Sequence, residues 1–197
     1  MGKESIKGLY LIVSLIYVVF SITSTVSHCW VQATPENVTI THHHRQLGLF
    51  MQCTDGEEYC KDLPEDEHKM PEWWWDVRAL VIVSCLFSSF ATYVEILHLL
   101  FEKVQRYFTT VVMFLANLLL LIALSMYTKK VDDFEVYNKF GYGGTYEYKY
   151  GWGFILSWVA FVVGIAVIVI GAVSAKSINR EFELNMSAEE PSKKIEA

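Results

Sequence analysis

Charge is what this chain has least of. Only 19% of its 197 residues are Asp, Glu, Lys or Arg, where a soluble domain carries about a quarter. Basic excess is missing too: the formal net charge is −6. That argues against nucleic acid, whose recognition calls for a basic stripe. The four cysteines are too few and too scattered for a small disulfide scaffold. Chemistry-bearing motifs are also missing. No nucleophile–base pairing and no metal-ligand helix motif stands in the sequence. Gly151 and Gly153 are not followed by the third glycine of a phosphate-cradling loop. The tandem His42-His43-His44 is a poor ligand set, since neighbouring residues on a strand point to opposite faces. These absences lead us to expect no catalytic residue, no metal, no cofactor and no enzyme.

What the chain does have is long apolar runs: 53% of it is hydrophobic and 15% aromatic. A bilayer core about 30 Å thick needs roughly 20 apolar residues per helical span. Four segments meet this, at about 8–26, 79–101, 107–127 and 151–175, within one membrane domain covering 1–197. In hydrocarbon every backbone polar group must be satisfied internally, so these segments are expected as helices. The first follows Lys3 and Lys7 as a signal peptide would. Its apolar run is too long for a signal core and no clean cleavage site follows, so it is read as a retained span.

Four spans put both termini on one side. Lys and Arg divide evenly, eight on the shorter inner segments and eight on the longer outer loops, 27–78 and 128–150. Inner density is therefore higher, which favours cytoplasmic termini. The first outer loop adds Cys53, Cys60 and the sequon Asn37-Val38-Thr39. Both a disulfide and N-glycosylation belong to an oxidising, non-cytoplasmic face. The tail 176–197 is polar, and is read as helical at first and then disordered.

The first outer loop is too long for a bare connector. Leu47 to Cys53 reads as a strand, Thr54 to Glu58 as a turn around Asp55-Gly56, and Tyr59-Cys60 as the returning partner. A Cys53–Cys60 bridge across this hairpin would contribute about 2–3 kcal/mol by the chain-entropy model. The loop carries ten acids against four bases, which reads first as a solvated face. In the second outer loop, Phe134 and Val136, then Tyr146, Tyr148 and Tyr150, alternate with polar residues around Gly141, Gly143 and Gly144. That is the period of strands, expected to join the first loop's sheet.

Polar residues inside spans are few. Glu95 and His98 lie three apart on one face of the second span, and Asn117 lies mid-way along the third. A charge at the helix centre costs about 2.5–3.5 kcal/mol on insertion scales, so these should face the bundle. They read as intramembrane polar contacts, an interhelical hydrogen-bonding pair with Asn117 as similar glue, rather than an ion site. No polar stripe continues along the spans. Gly164, Ala166 and Gly171 would permit close packing of the fourth. Trp73, Trp74 and Trp75 read as an aromatic belt at the interface. Arg78 reads as a tie between sheet and bundle.

Trp30, then Gly48-Leu49-Phe50, then Cys53 and Cys60 resemble the first-loop signature of the claudin superfamily. Val77 to Ser84 resembles the start of the second span in claudins and peripheral myelin protein. Tyr150 to Phe161 is similar to the fourth span of the epithelial membrane proteins. The resemblance implies a claudin-like fold: a left-handed membrane four-helix bundle topped by a small extracellular antiparallel sheet. It implies a non-enzymatic plasma-membrane protein, placed at cell junctions by some members, that acts in adhesion or membrane organisation. Its partners would be the lipid bilayer and other membrane proteins in cis or trans, including a second copy or an ion channel. Two features depart from the pattern. Phe50 stands where most members have tryptophan, and the sequence ends Lys194-Ile195-Glu196-Ala197 rather than in a hydrophobic valine, which favours roles other than a paracellular barrier or pore. The tyrosine-rich second loop is similar to that of calcium-channel gamma subunits, which carries the alternative of an auxiliary channel subunit.

Overall fold

A computed structural model describes residues 3–35, 45–54, 60–62, 72–101, 106–132 and 146–193. Four long helices account for most of them: α1 (Lys3–Val26), α2 (Glu72–Phe101), α3 (Arg106–Asp132) and α4 (Trp152–Lys193). All four are long and apolar enough to cross a membrane. The second helix starts at Glu72, about two turns ahead of its uncharged run, so the tryptophan triplet forms its first turn. The fourth continues as helix to Lys193, through most of the polar tail.

The side chains that face inward follow a repeat of four and three. On α1 they are Tyr10, Ser14, Tyr17, Ser21 and Ser24; on α2 Val77, Val81, Ser84, Ser88, Ala91 and Glu95, all buried. On α4 they are Ser157, Ala160, Gly164, Val167, Gly171 and Ser174. A mean spacing of 3.5 residues is the period of left-handed supercoiling. The outward faces carry Ile12, Val19, Leu86, Phe90, Phe114, Val162 and Val173, each half or more exposed. The usual pattern is thus inverted, with large apolar groups outside and small or hydroxyl groups inside. Lipid tails are as apolar as leucine, so burial gives these helices little reason to associate. Close approach and hydrogen bonds do so instead.

The interior shows that approach directly. A Cβ on Gly164 would lie 2.8 Å from Asn117 Cγ and 2.9 Å from Tyr17 Cε2, and one on Gly171 would lie 3.0 Å from Tyr10 Cε2. Ala166, in contrast, is exposed on the outer face and takes no part in this packing. The hydroxyls also form a polar stripe along α1 and α2 that the sequence reading did not anticipate. Around the ring, α2 packs chiefly on α3, α3 on α4 and α4 on α1, and the α1–α2 seam is the lightest.

At one end stands a five-stranded antiparallel sheet of β1 (Val31–Pro35), β2 (Arg45–Leu47), β3 (Met51–Thr54), β4 (Lys61–Asp62) and β5 (Tyr146–Tyr150). Its order is β4-β3-β2-β1-β5. Val31 pairs with both Leu47 and Tyr150, so β1 lies between β2 and β5. The run from Leu47 to Cys53 is therefore two strands, not one. A tight turn separates them, closed by Gly48 N–H donating to the Met51 carbonyl at 2.9 Å. The second loop does contribute a strand, β5; Phe134, Val136 and the three glycines lie outside the described residues, as do Asp55 to Tyr59 and the three tandem histidines. Because the helices alternate in direction, the start of α1 and the end of α4 lie away from the sheet.

The inverted packing has a measurable consequence. Gly164→Val should lower stability by about 1–3 kcal/mol through overpacking, whereas Ala166→Val should change it little. Reversible unfolding in detergent micelles would check this, and equal effects at the two positions would contradict the packing described.

Candidate functional site

The sheet is joined to the bundle by a few residues, and most of the residues singled out from the sequence meet there. The joint begins where α1 ends. Residues 27–30 leave the helix and pass into β1. Trp30 is fully buried, and its indole N–H donates to the Ser24 carbonyl at 2.8 Å, satisfying a helix-end acceptor. Its backbone N–H donates to the Leu47 carbonyl at 2.7 Å and its carbonyl accepts from Gly151 at 2.9 Å. The Trp30 ring meets Tyr127 edge-on at 5.0 Å and Phe154 at 5.9 Å. Such pairs add about 0.5–1.5 kcal/mol beyond area burial.

Three glycines let the chain close around this segment. A Cβ on Gly48 would fall on the backbone of Ser27 and His28, and one on Gly151 on the backbone of Cys29. At Gly153 it would strike Ser27 Cβ at 2.7 Å. Gly153 N–H also donates to the Cys29 carbonyl at 2.8 Å. The hydroxyl of Ser24 donates to the Gly153 carbonyl at 2.8 Å and meets that of Ser157, tying α1 to α4.

On the other side, Leu49 is fully buried at the tip of the β2–β3 turn. Its carbonyl accepts from Trp74 Nε1 at 3.2 Å and from Arg78 Nε. The Arg78 guanidinium lies over the rings of both Phe50 and Trp75, 4.8 Å from each centroid. This is a cation–π stack on two faces. Trp74 is buried against Tyr127 at 5.8 Å. It belongs to the core of the joint, not to a belt in lipid; a tryptophan triplet at a water boundary carries no local sign of that tertiary contact.

The remaining candidates lie elsewhere. Cys53 and Cys60 are joined by a disulfide with Cα atoms 4.3 Å apart. The β3–β4 register, Met51 with Asp62 and Gln52 with Lys61, sets them opposite each other. Glu95 is fully buried in the bundle and Thr109 Oγ1 donates to its Oε2 at 3.4 Å. The side chain of His98 and the whole of Asn37 lie outside the described residues. Asn117 faces Gly164 and Tyr17, in a layer separate from Glu95. The sequence reading missed Ser24, Tyr127, Gly151, Gly153 and Phe154. The glycines had been weighed only as a phosphate loop, although their place between a strand and a span signals close backbone approach equally well.

The PMP-22/EMP/MP20/Claudin family model matches residues 6–172. The chain belongs to this family. Epithelial membrane protein 2 of Pan troglodytes and that of Homo sapiens are each 33% identical to it over 87 residues, 43% of this chain. The match spans about half of those relatives, 52% of each. Family membership makes the chain a multi-pass membrane protein, and the joint is where its signature residues gather.

Arg78→Lys keeps the charge but loses the planar stack and the fixed donor geometry. It should destabilise the protein by about 1–2 kcal/mol, the scale of a cation–π contact and one hydrogen bond. The check is a lower thermal midpoint in detergent with helical content unchanged below it.

Proposed function

We propose that this chain is a non-enzymatic plasma-membrane protein that presents its sheet outside the cell for adhesion, junction formation or membrane organisation. The observation that supports this most is the joint itself. Sheet and bundle share hydrogen bonds and a dry aromatic core, so the strands are held at a fixed height and angle over the membrane. Fixed presentation serves recognition between proteins, because it lowers the ordering cost of binding. Among the described residues, the exposed groups on the strands are Met51, Lys61, Asp62, Lys149 and Tyr150. A charged two-residue edge strand such as β4 discourages indiscriminate strand pairing. Specific partners would be other membrane proteins, in cis or in trans, or a second copy.

Covalent chemistry supports the sidedness of this reading. The Cys53–Cys60 disulfide ties the edge of the sheet and belongs to an oxidising compartment, which supports a sheet outside the cell and cytoplasmic termini. Asn37 would then be available for N-glycosylation. A second reading, an auxiliary subunit beside an ion channel, rests on the tyrosine-rich strand β5 next to β1. Barrier or pore formation between cells is a third role open to a sheet of this kind.

Two experiments test the proposal. Glycosidase treatment should shift the mobility of wild type but not of Asn37→Gln, and an unshifted wild type would remove support for an external sheet. Proximity labelling from the C-terminus in native cells, repeated with Lys61→Glu, should identify membrane-protein neighbours that the variant loses while still reaching the surface. A channel pore subunit among the lost neighbours would favour the auxiliary role. Neighbours unchanged by this and by substitutions at Met51 and Tyr150 would count against recognition through the sheet.

A further inference from the structure

The two edges of the sheet differ. One is β4, two residues long and tied to β3 by the Cys53–Cys60 disulfide. The other is β5, five residues paired to β1 along its whole length. Among the described strands none pairs with β5 on its other side. A strand of this length with one paired side is a template for a further strand. The direction of its backbone groups follows from the register. Gly151 N–H donates to the Trp30 carbonyl, which makes residues 30 and 151 a hydrogen-bonded pair, and in an antiparallel ladder such pairs alternate. The backbone N–H and C=O groups of residues 147 and 149 are therefore directed to β1. Those of residues 146, 148 and 150 are directed to the outer edge.

The sequence of β5 selects the strand that fits there. Tyr146-Glu147-Tyr148-Lys149-Tyr150 is complementary to itself when read antiparallel. With Tyr148 opposite Tyr148 of a second copy, Glu147 falls opposite the partner's Lys149, and Lys149 opposite the partner's Glu147. Opposite charges directly across a strand pair stabilise it, and like charges destabilise it. Centring the pair on Glu147 or on Lys149 instead sets like charges against each other, and so does parallel pairing in register. One arrangement therefore satisfies both charges, and in it the two Tyr148 residues form a hydrogen-bonded pair. We propose that β5 is a self-recognition edge, through which two copies of this chain pair antiparallel about a two-fold axis at Tyr148 and join their sheets. The contact is isologous, each copy offering the same segment to the other. This inference rests on the reading of the sheet as a recognition surface and names a second copy as its partner. A five-residue strand makes a small interface, so a single pairing is weak and transient.

Site-directed cross-linking tests the register itself. The full chain is concentrated in detergent micelles, where any relative orientation of two copies is open, and oxidised with copper–phenanthroline. Wild type, whose free cysteines Cys29 and Cys85 are buried and half-buried, sets the background. Glu147→Cys mixed with Lys149→Cys should give a covalent dimer, because residues directly opposite in a pair of this kind lie about 4.5 Å apart at Cα, within disulfide reach. Each variant alone should stay monomeric, since its own two copies stand about 8 Å apart in this register. Tyr148→Cys should cross-link to itself. On that background Glu147→Lys should slow cross-linking about ten-fold, and adding Lys149→Glu should restore it; a merely structural role for these charges would show no such rescue. Equal cross-linking of every variant, no cross-linking of the mixed pair, or no rescue by the charge swap overturns the proposal. Should Tyr148→Cys fail to fold, the mixed pair decides alone. Absence of self-pairing, with neighbours labelled in cells still dependent on Lys61, would sink this inference and leave recognition through the sheet standing.

Discussion

A backbone carbonyl or amide in hydrocarbon has no water to turn to, and the shape of this protein follows from that constraint. It requires helices along the spans, and it makes the exit from a span the difficult point, because helix ends leave acceptors and donors unsatisfied. At the end of α1 the solution is a set of hydrogen bonds, most of them to distant segments. The Trp30 indole takes the Ser24 carbonyl, Leu47 and Gly151 take the backbone of Trp30, and Gly153 takes the carbonyl of Cys29. The sheet is thus a continuation of the hydrogen bonding that the helix can no longer supply. Gly48, Gly151 and Gly153 are needed there because the three chain segments approach until no Cβ fits between them.

The same constraint divides the molecule into two regimes of stability. Within the spans, burial against lipid-like neighbours gives little, and cohesion comes from glycine contacts and from hydroxyls such as Ser84 on the Ala116 carbonyl. At the sheet end water is close, so the hydrophobic effect regains its usual strength of about 25 cal/mol per Å². That is where Trp30, Leu49, Trp74, Tyr127 and Phe154 are buried together. Large aromatic residues concentrate at the joint and small polar ones in the bundle because the solvent outside each differs.

How far this was legible in the sequence follows the same division. Span number and rough extent were plain, since a run such as that from Gly8 to Val26 has few other uses. The pairing of Cys53 with Cys60 followed from local hairpin spacing. The hydroxyl stripe was not legible. Ser14, Ser21, Ser88 and Thr92 are each unremarkable in an apolar run, and only the 3.5-residue spacing read across whole spans sets them on one inward face. The β2–β3 turn was hidden for a different reason: Leu47 to Cys53 has the composition of a strand, and what bends it is the demand that Gly48 fit against residues 27 and 28. Trp74 shows the limit most clearly, since its partners Leu49 and Tyr127 are distant in sequence.

The signature residues of this family member serve the structure. Trp30, Gly48, Leu49 and Arg78 are the positions by which the first loop resembles its relatives, and in the structure they are spent on the joint, buried or bonded to it. Phe50 fits the same logic. A smaller ring than tryptophan still stacks on the Arg78 guanidinium, because the stack needs an aromatic face and not an indole N–H. Residues committed in this way cannot also vary to suit a partner without loosening the sheet from its root. On the proposed reading, selectivity would come from exposed strand positions outside the signature, such as Lys61, Asp62 and Lys149. A shared frame with variable strand surfaces is one way a single architecture could serve proteins that meet different neighbours, and on the proposed reading the determinants of this chain's partner would lie on the sheet and not in the motif that marks its family.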